Sequence, residues 1–282
     1  MEREILTTEE IQQVSLQIMK KLHVFFVGHN IKYSLYGGSL IGAIRHKGFV
    51  PWDDDLDIAI PQPDYERFLI EWEDTSELKL FTPERRNSKM LFARICERKF
   101  TTSYERVPWK NDAAAGVWVD IFPITAVPEN LSDHQKHINK MKKFGHDAYY
   151  MRYSDCRPSM FTSFRDKILA VYKMLAFRYI NQEAVLKGAY KTEFRTYDYD
   201  TTKYVGEVAF LDYPDKEHLP KLWWDDFIMT DFEDTQFMII KHYDEVLRNY
   251  YDDYMQLPPE DKRTPMHANR QWFCWKNKSS IK

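Results

Sequence analysis

The chain has 282 residues, 44% of them hydrophobic, with a net charge of −3 and a pI near 6.3. That is enough for one large domain, or a domain with a helical lobe, and the balance of charge excludes the basic footprint of a nucleic-acid binder. Three widely spaced cysteines, Cys96, Cys156 and Cys274, form no CxxC pair, so a zinc cluster and a disulfide framework are not expected and a reducing cytosol is.

In chain order, the opening MEREILTTEEIQQ is charged and carries no apolar signal region. Thr7 or Thr8 caps a first helix, with acids in its first turn and Ile11, Ile18, Leu22 and Phe25 at helical spacing up to Gly28. A short strand, Ile31 to Tyr36, runs into Gly37-Gly38, and Ser39 to His46 reads as a short helix. Leu56 to Ile60 reads as a strand ended by Pro61, and Pro63 to Trp72 as a helix with proline in its first turn. From about 78 to 124 the pattern is strand-like, clearest at Met90–Ile95 and Val117–Phe122. Residues 131–190 turn helical and basic, followed by an irregular aromatic segment, a helix near 235–250 and an extended, proline-containing tail. The order predicts an α+β fold: a mixed sheet flanked by helices over residues 1–128, then a mainly helical region over 129–282, either separate or continuous with it. No run of about 18 apolar residues is present, so no membrane span is expected.

The chemistry concentrates in Tyr33 to Ile60, YSLYGGSLIGAIRHKGFVPWDDDLDIAI. Gly37-Gly38-Ser39 between strand and helix suits a phosphate, because glycines let backbone N–H groups approach and the helix start is electropositive. In Asp53-Asp54-Asp55-Leu56-Asp57, strand periodicity points Asp55 and Asp57 to one face and Leu56 and Ile58 to the other. Asp53 shares the parity of the first pair, and Asp54 points away. Carboxylates on one face repel unless a cation sits among them, and magnesium combines hard oxygen ligands with phosphate oxygens. Asp120 is a lone acid in the apolar WVDIFPI and requires a partner: a metal, a proton, or a structural arginine. Arg94, in LFARICER, reads either as a phosphate ligand or as that arginine. Arg45, with His46 and Lys47, offers a forked phosphate clamp or a surface role, and Trp52 a base-stacking or packing ring.

These residues identify a resemblance. Gly38-Ser39, Asp55-Leu56-Asp57-Ile58 and Asp120 follow the pattern of the nucleotidyltransferase-fold superfamily, and the insert RHKGFVPWD resembles the LicD family within it, which also includes the fukutin-related proteins. WVDIFPI resembles the family's third-carboxylate strand, and YYDDYMQLPPEDKRTPMH its closing segment through His267, with Asp252 where a glycine is expected. The middle, roughly 130–205, diverges. The resemblance implies a nucleotidyltransferase-like core and a phosphotransferase that takes a phospho-alcohol from a cytidine diphosphate donor. Phosphocholine from CDP-choline, delivered to a teichoic acid or lipooligosaccharide sugar, is the leading expectation, and ribitol or glycerol phosphate the alternatives. It implies Mg²⁺, with Mn²⁺ as a substitute, held by Asp53, Asp55, Asp57 and Asp120, with Asp55, Asp57 and Asp120 catalytic. It also implies a donor bound by Gly37, Gly38, Ser39, Arg45, His46, Lys47, Trp52, Arg94 and His267. A nucleotidyltransferase proper and a silent nucleotide- or glycan-binding module are the competing readings. A cytoplasmic enzyme of this kind would meet a lipid-linked glycan at the inner leaflet. The stripe Phe161, Phe164, Ile168, Tyr172, Leu175 and Tyr179, flanked by Arg165, Lys167, Lys173 and Arg178, reads as an interfacial helix, or as one covering the core or making a dimer contact.

Overall fold

The computed structural model describes residues 4–82, 90–105, 116–151, 163–177, 194–267 and 270–274. Strand β1 (Glu4–Ile5) leads to helix α1 (Thr8–Gly28), which Thr7 caps with a reciprocal box: its hydroxyl accepts from the Glu10 N–H, and the Glu10 carboxylate accepts from the Thr7 N–H. Ile11, Ile18, Leu22 and Phe26 bury the expected face of α1, whereas Phe25 is only partly buried.

β2 (Ser34–Leu35) is shorter than the strand predicted. The helix after it starts two residues early, at α2 (Gly37–Ile41), and ends in a π-helical turn over Gly42–His46. β3 (Asp57–Pro61), α3 (Gln62–Glu71), β4 (Leu78–Phe81), β5 (Ala93–Glu97), β6 (Thr101–Glu105) and β7 (Trp118–Ala126) complete the first half. The main sheet runs β2-β3-β7-β5-β4. β3 and β7 are parallel, and the other pairs on this path are antiparallel. Strand β8 (Tyr204–Glu207) extends the sheet from the far end of β7, and β9 (Leu219–Pro220) pairs with it.

The later region is richer in helix: α4 (Leu131–Met151), α5 (Phe164–Phe177) and α6 (Tyr243–Tyr251). One prediction is corrected there. The helix expected near 235–250 begins only at Tyr243, because 235–240 belongs to a hairpin of β10 (Phe227–Phe232) and β11 (Thr235–Ile240). The hairpin is tied to the core where Ile240 N–H donates to Ser34 Oγ at 3.0 Å and Met238 N–H to Tyr33 Oη at 3.1 Å. The tail is not simply extended either: it forms a short 3₁₀ turn at Glu260–Lys262 and β12 (Arg270–Cys274), which lies between β1 and β6 in a second sheet. Asp252, where the family resemblance expects glycine, closes α6 at φ +55°, a conformation that glycine adopts without strain.

Candidate active site

Register across three strands builds the centre of the site. Asp57 on β3 is level with Asp120 on β7, and Asp120 is level with Arg94 on β5. The three side chains therefore stand in one row on one face of the sheet. Leu56 and Ile58, of opposite parity, are fully buried. Asp53 and Asp55, in the segment entering β3, line the same cavity as Asp57. This cavity of about 680 Å³ is also lined by Gly37, Gly38, Arg94, Asp120 and His267.

Each acid has a distinct setting. Asp120 is held from two directions: Arg94 Nε and Nη2 donate to its Oδ1 and Oδ2 at 2.5 and 2.6 Å, and Trp118 Nε1 donates to Oδ2 at 3.1 Å. The structural-arginine reading of Asp120 thus describes its contact in this structure, and the Arg94 guanidinium also stacks 3.7 Å from the Trp118 ring centroid. Asp57 lies beside this pair. Burial, then repulsion by Asp55, Asp120 and Asp53, holds its carboxyl well above the ordinary range, against the pull of Arg94. Burial and Asp53 likewise raise Asp55, although His267 opposes the shift. Burial raises Asp53 as well, against the pull of its side-chain contact with Asp55.

Asp54, in the irregular segment before β3, does not line the cavity. Its carboxylate anchors the tail: Oδ1 accepts from His267 N–H at 3.1 Å. The anchor sets the His267 ring beside the acids, with Nδ1 3.4 Å from Asp54 Oδ1 and 3.6 Å from Asp55 Oδ2. A residue more than two hundred positions away thereby reaches the cavity, and nothing local in the sequence signals it.

The glycine turn is shaped around the acids. Gly37 sits at φ +53°, and a Cβ on Gly38 would come within 2.5 Å of Asp53 Oδ2. Ser39 is buried, and its hydroxyl accepts the Asp57 N–H at 2.9 Å, pinning the start of β3 rather than opening toward the cavity.

Five predicted binding residues, Ser39, Arg45, His46, Lys47 and Trp52, lie outside the cavity lining. Arg45 is committed to the C-terminal segment: its Nη1 donates to the carbonyls of Tyr254 and Gln256 at 2.6 and 3.3 Å, and its Nε to His46 Nε2 at 2.9 Å. Lys47 is the left-handed residue that ends the π-helical turn, and its carbonyl accepts from Glu233 N–H. Trp52 packs edge-on against His46 and under the Arg263 guanidinium.

Sequence reasoning missed the aromatic wall. Tyr36, Phe92, Phe122, Phe210, Tyr213 and Tyr251 line it, contributed by separate elements. Behind it, Glu217 Oε2 accepts from Tyr250 Oη at 2.8 Å and from Glu207 N–H at 2.7 Å, and Tyr36 Oη donates to Tyr250 Oη at 3.1 Å. Burial pushes the Glu207 carboxyl up to about 7. The aromatic surplus of the composition is the one signal that could have pointed to this wall.

Residues 30–174 match the family model for the LicD/FKTN/FKRP nucleotidyltransferase domain. The chain belongs to this family. A lipopolysaccharide cholinephosphotransferase LicD of Haemophilus influenzae is 32% identical over 279 residues, spanning 95% of this chain and 98% of that protein. Two uncharacterized proteins, of Rickettsia prowazekii and Rickettsia typhi, are each 50% identical over 48 residues, which is 17% of this chain and 18% and 16% of theirs. The protein is accordingly a LicD-family phosphotransferase, and the convergence of Asp53, Asp55, Asp57 and Asp120 is the feature of its fold that can carry that chemistry.

Among the described residues, no group of three or more His, Cys, Asp or Glu side chains is arranged to hold a metal ion. The donor set nonetheless suits a hard divalent cation. Asp53, Asp55 and Asp57 are hard oxygen donors on one cavity, and burial with mutual repulsion disfavours their charged forms, a cost that a bound cation would relieve.

Proposed function

We propose that this protein transfers phosphocholine from CDP-choline to a hydroxyl of a cell-surface glycan precursor, such as a lipopolysaccharide or teichoic acid. The observation that carries the reading is the single cavity in which Asp53, Asp55, Asp57, Asp120 and Arg94 meet, in a chain that spans 98% of a relative named for cholinephosphotransfer. Asp53, Asp55 and Asp57 would hold Mg²⁺, or Mn²⁺ in its place. When bound, the ion supplies positive charge against the donor diphosphate and the departing CMP.

The chain's own groups do the rest. The acceptor oxygen attacks the choline-bearing phosphorus, the bond to the bridging oxygen breaks, and CMP leaves with that electron pair. Asp120 is positioned for the hydroxyl proton. A carboxylate offers about four acceptor positions, and Arg94 and Trp118 occupy three of them, leaving one on Oδ1. That position takes a metal bond or a proton, not both. Gly37 and Gly38 let a donor phosphate approach the backbone, and His267 is set to contact the same group.

A peripheral contact with the inner membrane leaflet would bring the acceptor's lipid carrier within reach. Phe164, Ile168, Tyr172 and Leu175 on α5 are all exposed, which favours the interfacial over the core-covering reading of that helix. Phe161, Arg178 and Tyr179 lie outside the described residues, as does the side chain of Lys173. No helix among the described residues is long and apolar enough to cross a membrane.

Donor labelled separately in the choline methyls and in the cytidine tests the reaction. With Mg²⁺ and a glycan acceptor, the choline label is expected on the glycan and the cytidine label on free CMP. Cytidine label on the glycan would instead make the protein a nucleotidyltransferase. Transfer from CDP-ribitol or CDP-glycerol in preference to CDP-choline would move the assignment to a polyol phosphate.

A further inference from the structure

The aromatic wall has a built corner that the reaction described so far leaves unused. Phe210, Asp212 and Tyr213 sit on a loop whose course is fixed from within. The Glu207 carboxylate accepts the N–H groups of Ala209, Phe210 and Leu211 at 2.6–3.2 Å, and Leu211 is held at φ +61°. A left-handed leucine and three N–H bonds spent on one buried carboxylate are a costly way to make a loop, and they place its side chains on the cavity. Phe210 and Tyr213 remain 56% and 38% exposed, so they are not there to fill the core.

The rings meet at a range of angles: Phe210 lies at 43° to Phe122 and Tyr213 at 49° to Tyr250, and two other pairs are steeper. Phe210 stands at 87° to Phe92 with centroids 5.8 Å apart, and Tyr213 at 81° to Tyr251 at 5.5 Å. A nucleobase asks for parallel faces to stack between, and a polyol asks for hydrogen-bond partners for each hydroxyl. Exposed aromatic faces on a cavity instead suit a roughly spherical cation, which asks neither for parallel stacking nor for hydroxyl partners. Beside them is a carboxylate at the cavity rim: Asp212 is exposed, and among the described residues it accepts no hydrogen bond and forms no ion pair. The nearby ammonium of Lys216, 5.7 Å from the Tyr213 centroid, does not line the cavity and donates to the Tyr250 carbonyl at 2.8 Å. Tyr251 joins this corner to the acids. A Cβ on Gly37 would lie 3.6 Å from the Tyr251 hydroxyl and 3.9 Å from Asp57 Oδ2, so both reach the same few ångströms of space.

We propose that Phe210, Tyr213 and Tyr251, with Asp212 as counter-charge, form the subsite that takes the quaternary ammonium end of the transferred group while its phosphate lies at the aspartates. The inference rests on the phosphocholine reading and adds the residues that choose choline over an uncharged alcohol. It requires no new chemistry, only differential binding of one donor.

The test compares kcat/KM for CDP-choline and CDP-glycerol in the full-length parent, Asp212→Asn and Tyr213→Leu, each with Mg²⁺ and the same acceptor. The ratio of the two values is internal to each preparation, so partial loss of folded protein cancels. Both side chains stand at the exposed rim, and Asp212→Asn is nearly isosteric. The ratio is expected to fall about 30-fold in Tyr213→Leu and about 10-fold in Asp212→Asn, chiefly through KM for CDP-choline. A parent that prefers CDP-choline, with both variants keeping that preference within threefold, overturns the subsite and leaves the phosphocholine reading standing. A parent that prefers CDP-glycerol overturns both.

Discussion

Replacing Asp57 by asparagine is expected to lower phosphocholine transfer by about 10³-fold or more and to leave the metal-free protein at least as heat-stable as the parent. The loss in rate follows from position. Asp57 stands between Asp55 and Asp120, at the centre of the charge that would hold the divalent ion. Removing one such interaction withdraws several kcal/mol from the transition state, and about 1.4 kcal/mol is a factor of ten. The gain in stability follows from the same crowding. Because burial and neighbouring acids raise the folded-state carboxyl, its charged form is disfavoured in the folded protein. The parent's metal-free stability should therefore fall as pH rises from the ordinary aspartate range through the raised value, and that fall should be smaller in Asp57→Asn. Thermal melts in a chelating buffer between pH 4 and pH 8, beside transfer assays with Mg²⁺, check both halves. Substantial turnover in the variant, or a marked drop in its melting temperature at neutral pH, would count against the assignment.

Arg94→Ala is expected to act in the opposite way and to destabilise the fold itself. It leaves the Asp120 carboxylate buried, with only the Trp118 indole as donor among its described partners. Breaking one side of a buried pair of this kind costs about 3–5 kcal/mol, which lowers the melting temperature on the order of 10 °C in a chain of this size. The double variant Arg94→Met/Asp120→Leu separates structure from chemistry. Removing both charges removes the stranded ion, so much of the lost stability should return, whereas activity should not. Recovery of transfer along with stability would mean that Asp120 serves only to balance Arg94.

The parts of the fold legible in the sequence were those set by local rules. Thr7 and Glu10 announce the first helix because a capping box is complete within four residues. The alternation of Asp55, Leu56, Asp57 and Ile58 fixes which face is wet, since strand parity admits no other assignment. Asp120 stands out because a single acid in WVDIFPI has no local partner, and the structure supplies Arg94 from the adjacent strand.

What could not be read depends on distant pairing. The β10–β11 hairpin turns through Glu233-Asp234, without the Asn-Gly or Asp-Gly that marks tight hairpins, so its second strand merged with the following helix. Arg45 has the chemistry of a phosphate clamp, but its guanidinium goes to carbonyls of Tyr254 and Gln256, and only the folded tail shows that choice. His267 reaches the acids through its hydrogen bond to Asp54 across the whole chain. The aromatic wall is assembled from several elements far apart in the chain, even though its loop is closed locally by Glu207 accepting from Ala209, Phe210 and Leu211. Composition gives the number of rings, not the few that meet.

Titration with Mn²⁺, followed by loss of the free-ion electron paramagnetic resonance signal, is the most direct test of the aspartate cluster as a metal centre. Saturable binding at pH 7.5 is predicted. It should weaken as pH falls, because the raised carboxyls of Asp55 and Asp57 then hold protons in place of the ion, and it should be lost in Asp55→Asn/Asp57→Asn. Equal binding by the parent and the double variant would contradict the account, as would binding that does not change with pH.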